Sequence, residues 1–401
     1  MTVGQTALVH PSLAGMVEAI RAKISRVALH LRFTSQAAEF LLACLERVLD
    51  HSTRSAGITP SALAAFNRVH IFDSSSWDSN PKLKHVLPGS GGGASDANCK
   101  LQAGYEYKSG RLGFFSVTEG IKPDQAYSGC LSDFVEKGDL MLTDLGYFKL
   151  TTFQNLIAKG AFFLSRLLIG TTLRDAATGE KIDLGATLRR WKGNLLQRKV
   201  IMGADSHPVS CRLIALRVTE QVANARRRKL RKEARKKGRT PSKIHLALCD
   251  WTLFVTNAPA EILPVKIVRS LYRLRWQIEL IFKQLKSVLR VHASHTAKEF
   301  RLKCELYGKL IMAALIHGIH SSLNADLWNT RGLEVSFDKL YKRIQERAFS
   351  LLQSLLSSVT IALKLFLLEI NRLAVACIKI RQPSRKTTLE LLEISHAFHS
   401  R

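Results

Sequence analysis

The chain reads as a mixed α/β protein with a helical region at each end. Three observations lead there. Short β-prone runs, two of them leading into an aspartate, lie between residues 69 and 145. Apolar residues at helical spacing fill residues 1–66 and most of the chain after 263. A second set of strand-like segments, within 161–256, separates the two patterns.

Composition narrows the class of partner. At 401 residues there is room for two or three domains and a sizeable core. The hydrophobic share, 46%, is ordinary, but 60 Lys+Arg against 32 Asp+Glu gives a formal net charge of +28. Such an excess calls for a polyanion: nucleic acid first, an anionic membrane surface second. The cysteines, Cys44, Cys99, Cys130, Cys211, Cys249, Cys304 and Cys377, are odd in number and scattered. They form no C-x-x-C and no Cys/His group at zinc spacing, so they read as core residues of a reducing compartment. The first residues lack a signal-peptide layout. The greasiest stretch, Leu351–Ile370, is broken by Gln353, Ser354, Ser357, Ser358, Lys364 and Glu369, so it reads as an amphipathic helix and not a membrane span. A cytoplasmic, nucleoid-associated protein is expected.

Residues 1–66 read as helices. Leu41, Leu42, Leu45 and Val48 give an apolar face, Arg21, Lys23, Arg26 and Arg32 supply charge, and Ser35 reads as an N-cap. The run Val69–Phe72 then ends at Asp73, before the hydroxyl-rich Ser74-Ser75-Ser76. An acid at a strand end serves either as a metal ligand or as a turn cap. Pro88–Gly93 lacks the spacing of a nucleotide-binding P-loop. Leu101–Tyr107 and Arg111–Val117 form a hairpin around Lys108-Ser109-Gly110. Asp139–Leu145 is a strand carrying Asp144, followed by a helix from about Thr152 to Lys159.

Strand-like segments follow at Ala161–Leu168, Val209–Val218 and Ile244–Thr256, the last containing Trp251. Among them Arg226–Arg239 reads RRRKLRKEARKKGR, a solvated run that can also contact phosphates. Leu271–Leu289 is expected to be one amphipathic helix. At roughly 100° per residue, Tyr272, Arg275, Glu279 and Lys286 share an arc of about 60°, beside a face of Leu274, Ile278, Phe282, Leu285 and Leu289. Helices are expected at Phe300–Ser322, Phe337–Ile380 and, after the basic break Arg381–Lys386, Leu389–Phe398.

The pattern Y-x-x-R-x-x-x-E-x-x-x-x-x-x-K from Tyr272 to Lys286 resembles the YREK signature of the DDE transposases of insertion-sequence family four. Its context W-x-I-E-x-x-F-K-x-x-K-S is similar to that family too, as are D-S-S at Asp73 and D-x-G-Y at Asp144. Three motifs in order over more than about 200 residues are far more specific than any one of them. The resemblance covers Val69–Lys286. It implies a ribonuclease-H-like mixed sheet flanked by helices. Glu279 follows Asp144 by roughly 135 positions, too many for one crossover, so a β-rich insertion is expected between them. The chain then divides into a helical DNA-binding region (1–66), a first part of the catalytic core (67–165), a β-rich insertion with the basic segment (166–262), a second part of the core with the YREK helix (263–325), and a helical C-terminal region with a candidate dimerisation surface (326–401).

The resemblance also implies roles. Asp73, Asp144 and Glu279 would be metal ligands for two Mg²⁺ or Mn²⁺ ions, which oxygen-only ligands suit. Tyr272, Arg275 and Lys286 would hold phosphates, Arg166 matches the family's strand-end arginine, and Trp251 stands where some members stack a flipped base. The implied chemistry is hydrolytic cleavage at double-stranded transposon ends, then direct attack of the freed 3′-hydroxyl on DNA without a nucleotide cofactor. Paired ends imply a synaptic homodimer. Two other classes stay open: a metal-dependent nuclease of the same fold, and a non-catalytic DNA-binding descendant of a transposase.

Overall fold

The computed structural model describes residues 13–20, 24–51, 60–91, 95–204, 206–344, 346, 369, 372–373 and 375–380. Its helices are α1 (Leu13–Ile20), α2 (Arg26–Leu31), α3 (Ser35–His51), α4 (Ser128–Leu131), α5 (Leu150–Ala158), α6 (Leu184–Arg190), α7 (Glu220–Lys236), α8 (Lys243–Leu248), α9 (Val265–Tyr272), α10 (Trp276–Ser287) and α11 (Glu299–Arg331). Its strands are β1 (Val69–Asp78), β2 (Asn98–Glu106), β3 (Arg111–Glu119), β4 (Leu140–Thr143), β5 (Phe162–Arg166), β6 (Leu173–Asp175), β7 (Leu195–Met202), β8 (Val209–Arg217) and β9 (Trp251–Thr256). Among the described residues no helix is long and apolar enough to cross a membrane. These residues form two compact units. One holds the described residues up to and including Pro60, Ile71–Lys122 and those from Trp276 onward; the other holds Ser61–His70 and Pro123–Arg275.

In the first unit the strand order is β3-β2-β1. β2 and β3 pair antiparallel from Cys99↔Glu119 to Glu106↔Arg111, with an irregularity between Gly104 and Tyr105. Glycine is needed at 104: a Cβ there would sit 2.6 Å from the Phe114 ring and 2.9 Å from that of Phe72, and those rings pack 5.9 Å apart. The long helix α11 ends at Gly332, whose φ of 63° is the left-handed conformation that stops a helix. A buried polar network fixes the turn that follows α10. The Lys309 ammonium donates to the Arg290 carbonyl (2.7 Å), and the Glu305 carboxylate accepts from Ser294 Oγ (2.6 Å) and Arg301 Nε (2.7 Å). The α3 cap is Thr34, whose Oγ1 accepts from the Ala37 N–H at 3.2 Å; the expected cap, Ser35, is the first helical residue.

In the second unit the order is β4-β5-β9-β8-β7-β6. β4 and β5 are parallel, while β5–β9, β9–β8, β8–β7 and β7–β6 are antiparallel. Phe153 of α5 stacks on Phe163 of β5 (4.2 Å, 15°) and meets Phe148 edge-on (5.1 Å), which seats the helix after Asp144. The opening residues of β1, Val69 and His70, belong to this unit. Here the buried carboxylate of Asp139 accepts from Arg68 Nε (3.0 Å) and the Glu136 N–H (2.8 Å), and lies 3.1 Å from His70 Nε2. Burial pushes its pKa up, but the hydrogen bonds from His70, Arg68 and Glu136 outweigh that and hold it below the usual carboxylate value.

Several expected elements take a different form. The Leu271–Leu289 helix is two helices, α9 and α10, joined by a 3₁₀ turn at Arg273–Arg275. Neither Gly nor Pro marks this break. β1 does not stop at Asp73 but runs on to Asp78. Ile244–Thr256 is strand only in its second half; its first half is α8, capped by Ser242 accepting from the His245 N–H. The expected β-rich insertion does hold strands, but three helices also lie within it, and the basic run is one of them, α7. The expected Leu389–Phe398 helix and most of Phe337–Ile380 lie outside the described residues.

Candidate active site

The two aspartates are set by the same device. In β1, Val69 to Phe72 are buried and Asp73 is the first half-buried residue. In β4, all four residues from Leu140 to Thr143 are buried, and Asp144 follows them half-exposed. Each strand thus drives its apolar residues inward and releases an acid where it leaves the core. The Asp73 Oδ1 accepts from the next residue's N–H at 2.8 Å. Asp144 stands at the N-cap position of the turn Leu145–Tyr147, yet its side chain makes no capping bond.

Around Asp144 the second unit places two of the expected phosphate ligands. Arg275 Nε lies 3.9 Å from Asp144 Oδ1, too long for a hydrogen bond but close enough to offset the charge. The Tyr272 hydroxyl donates to the Thr143 carbonyl (3.1 Å), the residue before Asp144, and its ring meets Phe254 edge-on at 5.2 Å. A tyrosine has one O–H to donate. In this arrangement Tyr272 braces the end of β4.

In the first unit, α10 buries Ile278, Ile281, Phe282 and Leu285, which fixes the helix and with it Glu279, in its first turn. An acid there is favoured by the helix dipole. At the other end, the Lys286 ammonium donates to the Ser76 carbonyl (3.0 Å) and sits 5.8 Å from the Trp77 ring centroid. Lys286 therefore ties α10 to the part of β1 just beyond Asp73, with N–H groups left over for another acceptor. Partial burial pushes its pKa below the ordinary lysine value.

Two further residues behave differently from each other. Arg166 ends β5 with its side chain exposed. Trp251 is only 4% exposed, and the Arg217 guanidinium covers its ring at 4.5 Å. A base cannot stack on a face already covered, so the stacking role expected for Trp251 is corrected: it is a core residue of β9. The large exposed ring near these motifs is instead Trp276, 58% exposed at the start of α10. Helical periodicity would have flagged it, since it falls off the apolar face. The structural role of Asp139 was missed as well; its only sequence signal is an acid opening a short, mostly apolar strand.

Asp73 and Glu279 belong to one unit and Asp144 to the other. Among the described residues, no three His, Cys, Asp or Glu are gathered as a group that could hold a metal ion. The three candidate acids offer oxygen donors alone, a set that suits hard cations such as Mg²⁺.

Acids released at the ends of buried strand segments, a third acid on a helix that also carries Lys283 and Lys286, and a net charge of +28 suit a protein that handles phosphodiesters. Residues 64–315 match the family model described as Transposase DDE domain, and the chain belongs to that family. It is a DNA transposase, an enzyme of DNA strand cleavage and transfer, on a mixed α/β fold. The chain is similar to the transposase for insertion sequence element IS231C of Bacillus thuringiensis subsp. berliner, 28% identical over 393 residues, 94% of this chain and 82% of that one. The transposase for IS1151 of Clostridium perfringens is 28% identical over 310 residues, 73% of this chain and 66% of that one. Among solved structures, the piggyBac transposase in a synaptic complex with hairpin DNA aligns over 96% of this chain and 76% of its own, with a TM-score of 0.45 and 11% identity.

Proposed function

We propose that this transposase mobilises an insertion sequence, cutting double-stranded DNA at the element's ends and joining the freed 3′-hydroxyl to target DNA. Asp73, Asp144 and Glu279 would hold two divalent ions, Mg²⁺ or Mn²⁺. What supports this reading is that the matched stretch 64–315 contains all three acids, and that two of them follow buried strand segments without serving as helix caps. When bound, such ions polarise the scissile phosphate and stabilise the attacking and leaving oxygens of an in-line displacement.

The remaining work falls to the chain's own side chains. Arg275 and Lys286 would receive non-bridging phosphate oxygens, Arg275 by its planar fork and Lys286 as a point charge. Arg166 would hold a phosphate further along the strand. Tyr272 would keep the end of β4, and so Asp144, in place through its bond to Thr143. A homodimer would pair two ends before cutting, in the cytoplasm at the nucleoid.

The test is cleavage of a labelled duplex carrying the element's terminal repeat, with Mg²⁺ and with Mn²⁺, by the wild type and by Glu279→Gln. Cleavage by the wild type alone, with equal duplex binding by both, supports the assignment, and joining of the product to plasmid distinguishes a transposase from a nuclease. Equal cleavage by both proteins would remove Glu279 from the site.

A further inference from the structure

The basic run left undecided by sequence alone is sorted by α7 into two faces. One face holds the helix to the second unit. Arg226 donates to the Trp251 carbonyl (2.8 Å) and to Thr252 Oγ1 (2.9 Å), and Arg227 pairs with Asp250 and bonds Asn224 Oδ1 (2.8 Å). Ala223 is buried on this side. These two arginines are structural, despite lying in the run.

The other face is unlike it. Taking about 100° per residue, Arg228, Lys232, Arg235 and Lys236 fall in an arc of about 100°, opposite Ala223, Arg226 and Arg227. All four are exposed. None of the four side chains has a hydrogen bond or ion pair among the described residues, and the arc contains no acid. Lys229 flanks it and spends part of its charge on Glu233, 3.9 Å away. From Arg228 to Lys236 the helix rises about 12 Å, the axial span of three to four phosphates of one DNA strand. At the base of the helix the positive field continues. The charge of Arg226 is disfavoured first by burial and then by Arg166 and Arg269, both exposed.

We propose that Arg228, Lys232, Arg235 and Lys236 form a phosphate-tracking surface, which binds one backbone strand of duplex DNA without reading its sequence. The occupant follows from charge complementarity: four unpaired cations on a rigid helix, spaced to match a regular line of monoanions. This rests on the transposase reading only in taking DNA as the polyanion. It adds a contact that acts equally on element and target DNA, since phosphates carry no sequence information.

The experiment is a salt titration of binding to a random-sequence duplex of about 40 base pairs, a length several times the footprint of the arc. The wild type is compared with the variant carrying Arg228→Gln, Lys232→Gln, Arg235→Gln and Lys236→Gln. Glutamine is a good helix former, so α7 should persist, which circular dichroism and thermal melting check. The slope of log affinity against log salt is expected to flatten by about 3.6, so that from 50 to 200 mM salt the wild type loses about 150-fold more affinity than the variant. The ratio of affinities for terminal-repeat and random duplexes is expected to stay unchanged. A second variant with the charges kept, Arg228→Lys, Lys232→Arg, Arg235→Lys and Lys236→Arg, should restore the slope.

An unchanged slope in the folded glutamine variant overturns the proposal. So does a loss confined to the terminal repeat, or a loss of binding to phosphatidylserine vesicles with the duplex slope intact. Wild-type cleavage is scored separately. A wild type that cleaves but shows no slope change on substitution defeats only this surface; one that never cleaves defeats the transposase reading and leaves the slope result standing.

Discussion

Helices α7 and α10 both carry charged side chains proposed to act on DNA, and they are built in opposite ways. α10 has 12 residues and buries four large apolar side chains. α7 has 17 residues and buries only Ala223. A helix that must hold one carboxylate at one angle needs a deep apolar seat. A helix that supplies charge to a polyanion needs only attachment at its base, because its cations contribute one by one and tolerate displacement. Substitutions should therefore act all-or-none on α10 and additively on α7.

The largest expected effect is at Glu279. Glu279→Gln should lower single-turnover end cleavage by about 10³-fold or more, as loss of one member of a catalytic unit does, while duplex binding is kept. Residual cleavage near wild type would break the contrast at its centre. Next comes the seat itself. Phe282→Ala should cost about 3–5 kcal/mol in urea unfolding, whereas Val222→Ala, on the exposed side of α7, should stay within about 0.5 kcal/mol.

The embedded helix α11 offers a pH test of the same contrast. His317 is buried, its ring tilted against that of Phe337 at 4.6 Å, with Nε2 unpartnered. Burial pulls its pKa from 6.5 down to about 3. The unfolded chain takes up the proton first, so stability is full above about pH 6.5 and falls steadily toward pH 3. His317→Phe should flatten the melting temperature over that window. Within α7 itself, Arg226→Gln should lower stability by about 1–3 kcal/mol through its lost hydrogen bonds. Arg228→Gln, two residues on, should leave stability alone and change the salt slope by only about 0.9.

The contrast also explains what the sequence could and could not tell. Asp73 and Asp144 were legible because an apolar β-prone run ending in an acid is a local pattern. The hairpin around Lys108-Ser109-Gly110 was legible for the same reason, and β2 and β3 carry it. The break between Tyr272 and Trp276 was not, because nothing local causes it. What accompanies it is tertiary, the bond from Tyr272 to Thr143, about 130 positions away in sequence, and such contacts override helical propensity. Trp251 misled because alternation predicts a strand residue but not whether an arginine lies over its ring. Lys243–Leu248 has strand-like composition, yet Ser242 caps it as a helix. Arg226 and Arg228 read alike in a run of cations; only their partners separate them.

The strands that flank the insertion have one more consequence. β5 ends at Arg166, β9 begins at Trp251, and the two are hydrogen-bonded neighbours, with Arg166 opposite Phe254. Between them in sequence come β6, β7 and β8, which extend the sheet beyond β9, so the chain leaves β5 and returns beside it as β9. Everything between is a closed loop as far as β5 is concerned, since its sheet neighbours are β4 and β9. Closing a loop costs only about 0.6 kcal/mol more for each doubling of its length. Material can be added, trimmed or exchanged in the connections between 167 and 250 with little penalty to β4 and β5, provided β8 stays paired with β9. The protein thereby has a grafting point, where a lineage can acquire new ways of holding its substrate while the strand leading into Asp144 stays as it is.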